Sequence, residues 1–157
     1  MPVIHTHVSV STTPEQREAL KAAYGKAITA VPGKSEGWLM CPFEDNMPIY
    51  FGGSDDQPAA YVEVNVFGRS VPGSAWEKLT ESIMAALNST LGIPEDRTYI
   101  RYTATTDWGW NGIAYSGSPQ SASLAAPLKE GSSDVESPPA AGFLRFKGLI
   151  SNIQKLY

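Results

Sequence analysis

The sequence predicts a mixed α/β (α+β) fold in which two βαβ repeats form one four-stranded sheet, with two helices on one face. Two observations predict this fold. A strand–helix–strand pattern occurs twice, with an offset of about 59 positions: Gly33 matches Gly92, Leu20 matches Leu79 and Ala27 matches Ala86. The apolar residues also change from strand-like runs to helical spacing and back within each copy.

The first repeat begins with an apolar, β-branched stretch from Val3 to Val10, which is typical of a strand. A helix follows, because Thr13 can cap it, Pro14 suits the first helical position and Gln16 completes a capping box. Trp38 to Phe43 is predicted as the next strand. The apolar face of the helix comprises Leu20, Ala23, Tyr24, Ala27, Ile28 and Val31.

The second repeat has the same order of elements. Tyr61 to Phe67 is predicted as a strand, Ser74 is predicted to cap a helix with Glu77 completing a second capping box, and Thr98 to Thr103 is the last long strand. The apolar face of this second helix comprises Trp76, Leu79, Ile83, Ala86, Leu87 and Leu91.

A four-stranded sheet with helices on one face leaves its second face and its edges uncovered. The aromatic residues Trp38, Phe43, Phe67 and Tyr99 are also numerous for one small subunit. We therefore expect the chain to form an oligomer.

Composition narrows the classes of function. A net charge of −4 and a pI of about 5.1 disfavour nucleic acid as the main partner. The single cysteine, Cys41, excludes an intrachain disulfide. The N-terminal residues do not resemble a signal peptide and no apolar run is long enough for a membrane helix, so a cytoplasmic location is expected, with secretion lacking a leader as the alternative.

Several short motifs do not predict the chemistry that they suggest at first. Gly33-Lys34-Ser35 lacks the preceding glycine of a phosphate-binding loop, because Ile28 stands at that position. His5 and His7 would point to one side of a strand and could begin a zinc site, but no Cys/His pair elsewhere completes it. We interpret them as polar strand residues, and we predict neither a metal nor a cofactor.

Pro2 could supply a basic group. Removal of Met1 would leave Pro2 with a secondary amine at the start of the chain. A free α-amino group titrates near pH 7.7–8.0, and burial or a neighbouring cation lowers that pKa. Such a base can remove an acidic proton next to a carbonyl group. Met-Pro alone is a weak signal, since many proteins begin in this way.

Further motifs strengthen the case for this chemistry. They occur in order along the two repeats: Pro2, Gly33-Lys34, Phe51-Gly52-Gly53-Ser54, Pro58-Ala59-Ala60-Tyr61, Pro94-Glu95-Asp96-Arg97-Thr98-Tyr99-Ile100 and Trp108-Gly109-Trp110-Asn111-Gly112. With these motifs, residues 2–115 resemble the macrophage migration inhibitory factor (MIF) family of the tautomerase superfamily. The shorter 4-oxalocrotonate tautomerases share the N-terminal proline but lack the second repeat.

The resemblance implies a homotrimer whose three sheets form a barrel, with active sites between subunits. It also implies that Pro2 is the catalytic base and that Lys34 binds the substrate carboxylate and lowers the proline pKa. The backbone N–H of Phe67 would bind substrate, and Trp108 and Tyr115 would form apolar walls for a phenyl ring.

The resemblance further implies that Tyr99 reaches the pocket from a neighbouring subunit. The family commonly has asparagine two residues after this tyrosine, whereas this chain has Arg101. Strand alternation places Tyr99 and Arg101 on one face, so the guanidinium could bind the substrate carboxylate through two parallel hydrogen bonds.

The expected activity is keto–enol interconversion of phenylpyruvate-like 2-oxo acids, with dopachrome-type compounds as further candidates. The alternative is a MIF-like cytokine or protein-interaction module with vestigial catalysis. The first reading requires a free N-terminal amine, whereas the second does not.

The remainder of the chain lies beyond the tautomerase-like domain of residues 1–115. Residues 116–142 are mostly Ser, Pro, Ala and Gly and are predicted to be a flexible linker. Residues 143–157 are predicted to form a short basic amphipathic helix. This helix would cover an apolar groove on its own trimer, or it would bind an anionic membrane surface or a protein partner.

Overall fold

A computed structural model of the chain describes residues 1–117. Its helices and strands are β1 (Pro2–Val8), α1 (Pro14–Ala27), β2 (Phe43–Glu44), β3 (Ala60–Phe67), α2 (Gly73–Leu91), β4 (Thr98–Thr105), β5 (Trp108–Trp110) and β6 (Ile113–Tyr115). The predicted linker, apart from its first two residues, and the predicted C-terminal helix lie outside the described residues. Across residues 1–117, no helix is both long and apolar enough to span a membrane.

The main sheet has the strand order β2-β1-β3-β4. β1 is parallel to β2, and β3 is parallel to β4. The two pairs meet through the antiparallel central strands β1 and β3, with Pro2 opposite Val66. This arrangement confirms the predicted fold, in which two βαβ repeats form one four-stranded sheet.

The core lies between one face of this sheet and the two helices. Alternate residues of β1 and β3 are buried, so one side of each strand faces the helices. Inside this core the Thr6 Oγ1 atom and the Tyr24 hydroxyl form a hydrogen bond of 3.1 Å, which satisfies two buried polar groups. The largest fully buried side chains include Ile4, Leu20, Tyr24, Ile28, Leu79, Ile83, Leu87 and Ile93.

The two helices begin differently. Thr13 caps α1 and forms the predicted reciprocal capping box with Gln16. The predicted capping box of α2 is wrong, because the helix begins at Gly73, one residue before Ser74, and Pro72 occupies the cap position without a side-chain hydrogen bond. The Pro72 carbonyl accepts the first helical bonds, so Ser74 already lies in the first turn.

The predicted strand from Trp38 to Phe43 is also partly wrong. Glu36–Trp38 forms a 3₁₀ turn, and the segment joins the sheet through an isolated bridge between Met40 and Val3 before the two-residue strand β2. Pro42 interrupts the ladder because it has no N–H to donate, although its carbonyl accepts a bond of 3.0 Å from Thr6. The segment therefore pairs with β1 as an interrupted edge.

Candidate functional site at the amino terminus

Lys34 reaches the end of the sheet from a turn that follows α1. Gly33 has a φ of +71°, a left-handed conformation that glycine adopts without strain, and the Lys34 N–H donates to the Val31 carbonyl at 3.1 Å. The Lys34 Nζ atom donates a hydrogen bond of 2.7 Å to the backbone carbonyl of Phe67, the last residue of β3. The turn at Gly33 and this hydrogen bond therefore hold the Lys34 ammonium group at this end of the sheet.

The amino terminus lies at the same end. Pro2 is buried at the start of β1. The backbone N–H of Phe67 donates to the Met1 carbonyl at 3.0 Å, while the Phe67 carbonyl accepts from Lys34. Phe67 therefore holds the terminus with one backbone group and the lysine with the other.

Burial at this position changes the acid–base properties of both amines. Burial, together with a smaller contribution from the positive charge of Lys34, lowers the pKa of the Met1 amine from 8.0 to about 6. Burial also lowers the pKa of Lys34 itself. An α-amine in this environment is mostly neutral at pH 7 and can accept a proton.

Aromatic side chains line the space beside Lys34. The Phe67 ring centroid lies 5.4 Å from that of Tyr115 and 6.2 Å from that of Trp108, and the Lys34 Nζ atom lies 6.0 Å from the Phe67 centroid. Trp108 and Tyr115 face each other in the β5–β6 hairpin, whose turn residues have positive φ. The hairpin thus brings both aromatic rings beside Phe67, the residue that contacts Met1 and Lys34.

Trp38 and Trp110 form a contact that the sequence did not predict. Their rings meet edge to face with centroids 5.3 Å apart, and the two residues are 42% and 45% exposed. Trp110 is two residues after Trp108 in β5, so the two side chains lie on the same face of the hairpin. Trp38 lies in a 3₁₀ turn and not in the predicted strand, and no local pattern links residues so far apart in sequence.

Tyr99 and Arg101 lie elsewhere in the same chain. Tyr99 pairs with Tyr61 at the opposite end of β3 from Phe67, about 20 Å away at the usual strand rise. The Tyr99 ring contacts that of Phe51 and is 66% exposed. Arg101 shares the exposed face of Tyr99, as strand alternation predicted.

The guanidinium of Arg101 is largely exposed, and its Nη1 atom lies 3.9 Å from Glu63 Oε1. Within one chain the structure therefore brings together the amino terminus, Lys34, Phe67, Trp108 and Tyr115. It does not bring Tyr99 or Arg101 to them.

Cys41 contributes no reactive thiolate. Its side chain is half-buried beside β1, and burial, with a smaller contribution from the charge of Glu36, raises the pKa of the thiol to about 11. The thiol is therefore protonated at neutral pH. This environment agrees with the interpretation of Cys41 as a small apolar residue.

Comparison with known proteins defines the class of this fold and site. Residues 1–118 match the family described as macrophage migration inhibitory factor (MIF). The chain belongs to this family, within the tautomerase superfamily, as its sequence motifs indicated. The structure has the mixed α+β fold of these proteins.

Solved structures give individual relatives. The chain is 41% identical to MIF2 of Leishmania major, with 73% of this chain and 97% of that chain covered and a TM-score of 0.68. It is 26% identical to the MIF of Toxoplasma gondii, with 72% and 99% covered and a TM-score of 0.63. It is 28% identical to the homologue from Prochlorococcus marinus, with 72% and 98% covered and a TM-score of 0.61. No protein with a curated description matches the chain.

Proposed function

We propose that the chain, once Met1 is removed, interconverts the keto and enol forms of a phenylpyruvate-like 2-oxo acid, with Pro2 as the base. Family membership supports a tautomerase or MIF-like role. One observation supports Pro2 as the base. The N-terminal amine is half-buried beside Lys34, and the pKa of this amine is lowered to about 6. Pro2 is buried at the start of β1, so burial would also lower the pKa of its amine once Met1 is removed.

The reaction needs only one proton carrier. The neutral Pro2 nitrogen takes a proton from the carbon between the phenyl ring and the ketone. The electron pair of that C–H bond forms a carbon–carbon double bond, and the π pair of the carbonyl group moves onto the ketone oxygen. The protonated Pro2 then gives the proton to this oxygen and forms the enol. The reverse sequence regenerates the ketone, so no oxidant, cofactor or net proton is required.

Lys34 and Phe67 have suitable positions to bind the acid part of the substrate. The Lys34 ammonium would pair with the substrate carboxylate and stabilise the charge that develops on the enolate. The Phe67 N–H is occupied by the Met1 carbonyl in the chain with Met1, so removal of Met1 would release both a base and a hydrogen-bond donor. Trp108 and Tyr115 would contact the phenyl ring.

We propose that the functional unit is a homotrimer with its sites between subunits. β4 is an edge strand, and an exposed edge favours pairing with another chain. Tyr99 is exposed and distant from Lys34 of its own chain, so it would complete the pocket of a neighbouring subunit. Arg101 shares its face and would add a second cation for the carboxylate.

The test compares two forms of one protein, released from a cleavable fusion so that the chain begins at Met1 or at Pro2. Mass spectrometry establishes the first residue, and ultraviolet absorption follows ketonisation of phenylpyruvate. The Pro2 form should be active, and the Met1 form should be about 10²–10⁴-fold slower, the usual contribution of a positioned base. Equal rates would exclude Pro2 as the base. A folded Pro2 form without turnover would favour the alternative, a MIF-like interaction module.

A further inference from the structure

Two histidines and a glutamate converge on the sheet face that the helices do not cover. His5 and His7 are two residues apart on β1 and lie opposite to the buried Ile4 and Thr6. Their ring centroids are 4.0 Å apart. Glu44 lies beside them because β2 pairs with β1 in parallel, with Glu44 in register with His7.

Their nitrogen and oxygen atoms lie close enough together to bind one small cation. His5 Nε2 lies 2.8 Å from Glu44 Oε1, and His7 Nδ1 lies 3.7 Å from Glu44 Oε2. One ligand atom from each of the three residues can be chosen so that all lie within 4.8 Å of one another. Zinc binds histidine and carboxylate atoms at about 2.0–2.1 Å, so tetrahedral ligands are about 3.3 Å apart.

The histidine nitrogens lack well-aligned hydrogen bonds. His5 Nε2, His7 Nδ1 and His7 Nε2 are all buried and make no well-aligned hydrogen bond with the described residues, although Glu44 Oε1 lies 2.8 Å from His5 Nε2. Buried polar atoms are normally satisfied, so three on adjacent side chains require an explanation. A cation bound between the two rings would satisfy one nitrogen on each.

We propose that His5, His7 and Glu44 form a binding site for a divalent transition-metal ion, with zinc as the best match. His5 Nε2, His7 Nδ1 and the Glu44 carboxylate would be the ligands. Two histidines and one glutamate also form the three-ligand set of several zinc sites with an open fourth position, which water would occupy here.

Glu63 supplies the outer partner that such histidine ligands usually have. It lies on the adjacent strand β3, opposite His5, and its Oε2 atom lies 3.8 Å from His7 Nε2. The Tyr61 hydroxyl donates to Glu63 Oε1 at 3.1 Å and fixes this carboxylate. If Nδ1 binds the metal, Nε2 carries the proton and points toward Glu63.

The charges of the neighbouring groups also suit a cation. Glu44 and Glu63 contribute two negative charges, and Arg101, 3.9 Å from Glu63, contributes one positive charge. With neutral histidines the cluster has a net charge of −1 before the metal binds. The sequence alone gave no third ligand, because Glu44 joins the histidines only through strand pairing.

This site is separate from the amino-terminal site. His5 is three residues from Pro2 along β1, about 10 Å at the usual strand rise, and its side chain points to the opposite face. A bound metal would therefore not contact the Pro2 amine of the same chain. The metal proposal does not depend on the proposed tautomerase activity.

The test measures zinc binding to the full-length chain without an affinity tag, after treatment with a chelator, by isothermal titration calorimetry. We expect one zinc ion per chain for the unaltered protein. His7→Ala and Glu44→Gln should abolish binding, and Glu63→Gln should weaken it about 10- to 100-fold. Glu95→Gln, an exposed acid outside the cluster, is the matched control and should bind like the unaltered chain.

A second measurement needs no variant. The chain has only two histidines, so their imidazole NMR signals report on the cluster directly. Zinc should shift both sets of signals, because it would bind one nitrogen of each ring. No binding up to millimolar zinc, unchanged affinity in His7→Ala, or unshifted imidazole signals would each overturn the proposal and leave a His–Glu ion pair alone.

Discussion

Lys34 and Phe67 are joined by a hydrogen bond of 2.7 Å between the lysine Nζ atom and the phenylalanine carbonyl. This contact ties the turn after α1 to the last residue of β3 and places an ammonium beside the amino terminus. The same phenylalanine holds the Met1 carbonyl through its N–H. One backbone unit therefore determines the distance between the N-terminal amine and the cation that lowers its pKa.

Lys34→Met should weaken phenylpyruvate binding and change the pH dependence of catalysis. Loss of a charged hydrogen bond costs about 1.5–3 kcal/mol, so KM should rise about 10- to 100-fold. The charge of Lys34 lowers the pKa of the terminal amine, so its loss raises that pKa. Since the base acts when neutral, the acid limb of the kcat/KM profile should move to higher pH.

Lys34→Arg is the control for this change, because it keeps the positive charge. Its acid limb should remain near that of the unaltered enzyme, even if KM rises through altered geometry. An acid limb that is identical in Lys34→Met and Lys34→Arg would mean that burial alone sets the pKa of the amine.

Arg101→Asn tests the proposed contribution of a neighbouring subunit. It should raise KM for phenylpyruvate about 10-fold or more, because a charge-assisted contact with the carboxylate is lost. It should also move the acid limb to higher pH, since a cation near the base is removed. A methyl-ester substrate carries no such charge and should be affected much less.

The ester is the control within this experiment. Equal losses on the acid and the ester would indicate that Arg101 supports the assembly and does not bind the substrate. Its 3.9 Å approach to Glu63 within one chain provides the structural basis for that outcome.

Tyr24→Phe should destabilise the core. The change removes the hydroxyl that is hydrogen-bonded to Thr6 and leaves a buried hydroxyl unsatisfied, which costs about 1–3 kcal/mol. Urea unfolding at a fixed protein concentration measures the difference. Tyr50→Phe is the matched control, because Tyr50 is 68% exposed and its loss should change the free energy of unfolding by less than about 0.5 kcal/mol. Equal stability of the two variants would contradict this account of the core.

The parts of the fold that local chemistry determines could be predicted from the sequence. The α1 capping box involves Thr13 and Gln16, three residues apart, and the apolar faces of both helices follow a regular spacing. The start of α2 could not be predicted in this way, because a Ser-x-x-Glu pattern also fits the first turn of a helix that a proline carbonyl begins. Pro42 interrupts the pairing before β2, and the sequence alone did not show that only two residues would remain in this strand.

The candidate site shows the same division. Strand alternation correctly put Tyr99 and Arg101 on one face. Lys34, Phe67, Trp108 and Tyr115 were named through family motifs, since residues so distant in sequence meet only after the chain folds. The Trp38–Trp110 contact and the approach of Glu44 to His5 had no motif and could not be predicted.

The most direct test of the central claim is the kcat/KM of Pro2→Gly for phenylpyruvate, measured on protein whose first residue is established by mass spectrometry. Glycine keeps a free amine but replaces the secondary amine of proline and removes its ring. With Pro2 as the base, kcat/KM should fall by about 10²–10⁴-fold while circular dichroism and oligomeric state stay unchanged. Full activity of the folded variant would contradict the account and assign the proton transfer to another group.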